Sequence, residues 1–298
     1  MRKHFVKTLL DSRELQTPYL LTGDLGYSVL EPFQERFPLN YFNFGILEQS
    51  IISIAAGIAS NNNKVFVYSI NNFATFRCLE QIRLDIAYHD LNVCVVGVGV
   101  GFQYQSAGYS HWGVEDLGCI SLLERMRIFS PSDASSTEFA VRSFLKNGGP
   151  TYIRLGKEPS INLKPGLNVD DLGSYYSIGS GSNLIISHGP ISWELINSEF
   201  FNPEIHKIVV VNEISMDDNQ FLNLIDSNIS SVSVFEEVIY PGSLGSRIAK
   251  LISTGNHRIK FSWKGIDGKK LSSVGGSESF LRAKVFGNNY IQELFIFD

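Results

Sequence analysis

Short apolar runs alternate with stretches of helical periodicity along most of the chain. In the first half, residues 19–23, 64–69, 92–98, 127–130 and 149–157 read as strands. Each is a brief run containing Val, Ile, Tyr, Leu or Phe, bounded by Gly, Asn, Ser or Pro. Residues 1–15, 46–59, 77–87 and 135–145 carry apolar positions at helical spacing between them. In the second half, strands are predicted at 184–187, 206–211 and 232–235, and helices at 190–197, 219–227 and 243–253. The tail from Gly255 is turn-rich and closes on a strand-like run at 294–297. Strand–helix alternation of this kind predicts an α/β protein with two domains, each a mostly parallel sheet flanked by helices. Residues 158–171 are rich in Pro, Gly and Asp and lack periodicity, so they read as a linker. The expected division is a first domain over 1–158, a linker over 159–176 and a second domain over 177–298.

The helix expected at 46–59 is unusual because Glu48 is its only formal charge, in a run dense with Ile and Ala. A helix apolar on nearly every side belongs in a core or a subunit interface. A carboxylate at its head is costly to desolvate without a partner. Glu48 is then either a first-turn acid favoured by the helix dipole or a group held for chemistry.

Composition narrows the function classes. The chain has 298 residues, 44% hydrophobic and 18% charged, which suits a globular protein with real cores. A formal net charge of -5 without a Lys/Arg-rich run gives no nucleic-acid footprint. Cys78, Cys94 and Cys119 lie in apolar surroundings without metal-ligand spacing, which predicts reduced thiols, a cytoplasmic protein and no zinc site. No apolar run reaches membrane-spanning length, and Asp11, Arg13 and Glu14 interrupt the only signal-like segment. The glycines at 97, 99 and 101 do not satisfy GxGxxG, so no dinucleotide site is predicted.

Chemistry concentrates in loops at the ends of predicted strands, where open α/β sheets bind ligands. These loops hold Gly23-Asp24-Leu25-Gly26-Tyr27-Ser28, Asn43-Phe-Gly-Ile-Leu-Glu48-Gln, Phe73-Ala-Thr-Phe76-Arg77 and Gly108-Tyr-Ser-His111-Trp-Gly-Val-Glu-Asp. Together with Ala55-Ala-Gly-Ile-Ala and Gly149-Pro-Thr-Tyr-Ile-Arg154-Leu-Gly, they resemble the pyrimidine-binding module of transketolase-like, thiamine-diphosphate-dependent enzymes. Phe235-Glu236-Glu237 with Gly242-Ser-Leu-Gly245-Ser resembles the transketolase C-terminal domain, so the resemblance covers nearly the whole chain.

The resemblance implies thiamine diphosphate as cofactor, with Glu48 hydrogen-bonding its aminopyrimidine and promoting its activation. It implies Asp24 near the cofactor ring, and Ile70, Phe73 and Phe76 as candidates for the pocket that clasps the ring. A Phe pair at this spacing is also common in cores. Ser28 matches a residue near the substrate phosphate, although an ordinary Asp-Gly turn accounts for this loop as well. His111 matches a proton-shuttling or hydroxyl-binding histidine. Arg154 matches an arginine that reaches a substrate anion, with a domain-closing ion pair as the alternative.

The Gly-Asp-Gly…Asn element that holds metal and diphosphate is missing, since Leu25 stands where its second glycine would. The implied enzyme is therefore split. A separate N-terminal subunit would supply the diphosphate site with its Mg2+ or Ca2+, in a heterotetramer with two copies of each chain. The leading expectation is two-carbon ketol transfer between sugar-type substrates. Alternatives are the β-subunit of a 2-oxo acid dehydrogenase, a 1-deoxyxylulose-5-phosphate-synthase-like decarboxylating ligase, and a non-catalytic partner-binding subunit. Ala107, Trp112 and the Asn71-Asn72 pair hint at a modified sugar.

Overall fold

A computed structural model describes residues 1–12, 17–157, 173–255, 259–271 and 275–296. Six strands build the first sheet: β1 (Tyr19–Thr22), β2 (Tyr41–Asn43), β3 (Val65–Ile70), β4 (Val93–Val98), β5 (Arg127–Phe129) and β6 (Thr151–Leu155). Their order is β2-β1-β3-β4-β6-β5, and every pairing is parallel. β3 and β4 are apolar and buried over nearly their whole length, as strands covered on both faces must be, and β6 is buried throughout although it carries Arg154.

The helix Glu48–Ala59 carries the chain from β2 to β3 and packs against both β1 and β3. Ile51, Ile52, Ala55, Ala56 and Ala59 enter the core, whereas Gln49, Ser50, Ser53, Ile54 and Gly57 face outward. The opposite face of the sheet is covered by Arg2–Asp11 and by Ala134–Asn147. The latter helix opens with a reciprocal capping box between Asp133 and Ser136.

The second sheet contains β7 (Tyr175–Ile178), β8 (Asn183–His188), β9 (His206–Val211), β10 (Ser231–Ile239) and β11 (Lys260–Ile266), in the order β11-β10-β8-β9-β7. Only β7 runs antiparallel to its neighbour. β7 begins at Tyr175, inside the span expected as linker; residues 159–172 of that span lie outside the described residues. One expectation about the tail is corrected. Within it residues 260–266 form a strand, with Phe261 and Trp263 packed on the core. Leu294 and Phe295 are not in a strand: they follow the helical turn Tyr290–Glu293, and their N–H groups bond to Ile291 and Gln292 carbonyls. Local pairing leaves them no backbone donors for a ladder.

The two domains share one apolar cluster, in which Met126, Ile128, Ile214 and Met216 join β-sheet side chains from both. Backbone bonds Ser130 N to Asn212 O and Ile214 N to Ile128 O, both 2.8 Å, extend the β5 edge into the second domain.

Candidate functional site at the carboxyl ends of the first sheet

The loops that follow β1, β2, β3 and β4 meet at one end of the parallel sheet. The first two are tied by Asn43, whose side-chain oxygen accepts from Asp24 N (2.9 Å) and Gly45 N (3.0 Å). Gly23 permits that approach, because a Cβ there would lie 2.8 Å from the Gly45 carbonyl oxygen. The segment thus anchored leads through exposed Ile46 and Leu47 into the helix headed by Glu48.

Glu48 is only 6% exposed. Its Oε2 lies 2.9 Å from Nη1 of Arg77, a residue whose side chain is 42% exposed. The Arg77 guanidinium in turn lies over the Phe73 ring, 4.2 Å from its centroid. The Phe73 ring also packs edge-to-face with the His111 ring, their centroids 5.1 Å apart. Glu48, Arg77, Phe73 and His111 therefore form a continuous chain of contacts, although 63 residues separate its ends in sequence (111 − 48). Phe76 is exposed and Ile70, the last residue of β3, is half-buried beside them.

His111 rides on the loop between Gly99 and Gly113. Ser110 Oγ lies 2.9 Å from its Nδ1. Asn72 holds the loop by donating to Ser110 O at 3.1 Å. At the loop base, Gly101 and Gly113 exchange two backbone bonds, and a Cβ on Gly113 would meet Gly99 O at 2.6 Å. Tyr109 donates its hydroxyl to Glu115, which pushes the phenol up to about 12 and keeps it protonated.

Arg154 is elsewhere. Its side chain is 2% exposed, and its Nε lies 2.7 Å from Asp116 Oδ2. Its Nη2 donates to Gly113 O at 2.5 Å and to Glu237 O at 3.5 Å, so it closes the first domain onto the second. The same Asp116 oxygen accepts from Asn71 (2.9 Å) and from the Tyr152 hydroxyl (2.6 Å). Burial raises the Tyr152 phenol well above its ordinary value, with the Asp116 charge adding to it. In this structure the buried Arg154 guanidinium bonds Asp116 and two carbonyls, a domain-closing contact.

Asn71 is fully buried in the Asp116 network and Trp112 is fully buried against Phe102, so neither offers a surface to a sugar, whereas half-buried Asn72 pins the His111 loop. Their structural work was not visible in the sequence, because the partners of the two asparagines lie 37 or more residues away. Ser28 N donates to Glu31 Oε1 at 2.7 Å, and Asp24 accepts from the Tyr27 hydroxyl. Both Asp24 (φ 55°) and Ser28 (φ 63°) adopt left-handed backbone, a strained choice for residues with a Cβ.

Buried Glu48, exposed Ile46, Leu47 and Phe76 and half-buried Phe73 supply the chemistry a flat, partly polar heterocycle calls for, an acid for a ring nitrogen and apolar surface for the ring. Arg77 engages the carboxylate in this structure. Among the described residues, no group of three or more His, Cys, Asp and Glu could hold a metal ion, and no helix is long and apolar enough to cross a membrane.

The fold and this loop cluster define a member of the transketolase class. Residues 13–160 match the family described as transketolase, pyrimidine binding domain, and the chain belongs to the transketolase family. It is 26% identical over 282 residues to a protein of Methanocaldococcus jannaschii named as a transketolase C-terminal section, covering 90% of this chain and 86% of that one. It is 34% identical over 158 residues to one of the subunits of apulose-4-phosphate transketolase from Phocaeicola vulgatus, covering 52% and 51% of the two chains. It is 28% identical over 243 residues to 1-deoxy-D-xylulose-5-phosphate synthase of Lysinibacillus sphaericus, of which it spans 37%. A solved structure described as a split gene transketolase, inactive β4 tetramer, superposes with a TM-score of 0.82 at 26% identity, covering 99% of this chain and 97% of that one. The chain is thus similar throughout to C-terminal subunits of split transketolases.

Proposed function

We propose that this chain is the C-terminal subunit of a split thiamine-diphosphate-dependent enzyme that transfers a two-carbon ketol unit between sugar-type substrates. The observation that carries the reading is Glu48, a buried carboxylate at the head of an apolar helix, joined through Arg77 and Phe73 to His111. Glu48 would accept a hydrogen bond from the cofactor's aminopyrimidine, and Phe73, Phe76 and Ile70 would flank that ring with Asp24 near it. His111, half-exposed and steadied by Ser110 and Phe73, can hold or give a proton to a substrate hydroxyl. When bound, the cofactor supplies the carbon nucleophile of ketol transfer; this chain orients it and handles protons.

A partner chain carrying the diphosphate module would complete the site and hold Mg2+ or Ca2+, in a tetramer with two of each subunit. The relatives named as subunits support that partner. The neighbour described as an inactive β4 tetramer supports an inactive isolated chain. Cytoplasmic residence is proposed on the three unpaired cysteines. The test is reconstitution. Purified chain, purified partner subunit, thiamine diphosphate and Mg2+ should together transfer ketol units from a ketose to an aldose, and this chain without the partner should not. Ketol transfer by this chain alone would refute the split assignment.

A further inference from the structure

Beside the Gly23–Ser28 loop lies a cavity of about 270 Å3 whose walls include Tyr27, Leu30, Glu31, Gln34, Tyr41 and Asn43. It shares Asn43 with the anchor that leads to Glu48, so it borders the site described above without belonging to it. Among the described residues that line it, none is Lys, Arg or His.

We propose that this cavity binds an uncharged, hydroxyl-rich ligand: a sugar or polyol segment that carries no phosphate at the end enclosed here. The proposal deepens the ketol-transfer reading and rests on it only for calling that ligand a substrate.

Three observations support it. Two of the donors an anion could use beside the cavity are already engaged by neighbouring carboxylates. Glu31 accepts from Ser28 N at 2.7 Å, and Asp24 accepts from the Tyr27 hydroxyl. A phosphate placed there would face the Glu31 carboxylate with no opposing cation among the walls. The remaining lining suits hydroxyls. Gln34 carries a carboxamide that both donates and accepts, Asn43 keeps its amide donors because its oxygen already takes two backbone N–H groups, and Tyr41 offers a flat ring with a hydroxyl at its edge.

The charge states agree with this at neutral pH. Backbone N–H groups, including that of Ser28, hold the Glu31 carboxyl below the usual carboxylate range, so it stays anionic. Burial raises the Tyr41 phenol, which therefore stays a donor.

The test uses the full chain without cofactor or partner. D-fructose and D-fructose 6-phosphate are compared by saturation-transfer and chemical-shift NMR. The expected result is millimolar binding of fructose that perturbs Gln34, Tyr41 and Asn43, with the phosphate ester at least about tenfold weaker. Glu31→Gln keeps an acceptor for Ser28 N while removing the charge. It should narrow that discrimination by about tenfold and leave fructose affinity within about twofold. Tyr41→Phe should weaken fructose and leave the discrimination unchanged. Equal or tighter binding of the phosphate ester to the wild-type chain would overturn the proposal. So would unaltered discrimination in Glu31→Gln, or failure of both sugars to perturb the cavity. Because neither cofactor nor partner is present, these failures leave the Glu48 reading standing, and an inactive reconstituted enzyme leaves this binding result standing.

Discussion

Arg77 covers Glu48: its Nη1 is 2.9 Å from the buried Oε2, and the rest of the guanidinium faces outward on the Phe73 ring. The carboxylate is thereby neutralised on one side by a residue that solvent can still reach. Replacing Arg77 by Met removes the partner and leaves the charge beneath apolar neighbours. The expected cost is about 1–3 kcal/mol of stability, with the lower part of the range favoured by Arg77's exposure. Chemical denaturation of R77M and of the double variant R77M/E48Q checks it. The double variant should recover part of the loss, because no buried charge is then left alone.

The Arg154–Asp116 pair is the opposite case, since both members are buried. Arg154→Met strands Asp116 among Asn71 and Tyr152, and about 3–5 kcal/mol should be lost. Domain docking should suffer with it, because Arg154 also bonds Gly113 and Glu237 carbonyls. Limited proteolysis near residues 158–172 and urea midpoints read the two effects.

Asn72→Ala removes the donor to the Ser110 carbonyl while leaving the buried Asn71 network intact. Stability should fall by no more than about 1.5 kcal/mol, the worth of an ordinary hydrogen bond. Amide exchange at residues 108–112 should rise several-fold, with little change in β4.

The legible parts of the fold were those set by local pattern. Buried strands such as β3 and β4 announce themselves as unbroken apolar runs, and Glu48 stands out because no other charge shares its helix. β2 and β7 are short edge strands that are only partly buried, so neither shows as an apolar run. Arg154 exposes a different limit. Its neighbours in sequence were recognisable, but whether its guanidinium faces a ligand or Asp116 depends on a residue 38 positions away. Arg77 was likewise visible in its motif, whereas its pairing with Glu48 was not.

His206 gives a pH dependence with a defined sign. Burial, with Phe201 and Phe295 against the ring, lowers its imidazole below the usual 6.5, and its Nδ1 accepts from Asn202 N at 3.1 Å. The unfolded chain therefore binds the proton first. The contribution is complete above pH 6.5 and is lost as pH falls through the lower folded value. Urea midpoints should decline over that window, and His206→Gln should flatten the decline.

The most direct measurement of the central claim is the rate at which the C2 proton of thiamine diphosphate exchanges with deuterium in the reconstituted two-subunit complex. If Glu48 acts on the aminopyrimidine, E48Q should slow that exchange by at least about 100-fold while assembly remains normal. Exchange in E48Q as fast as in the wild-type complex would contradict the assignment.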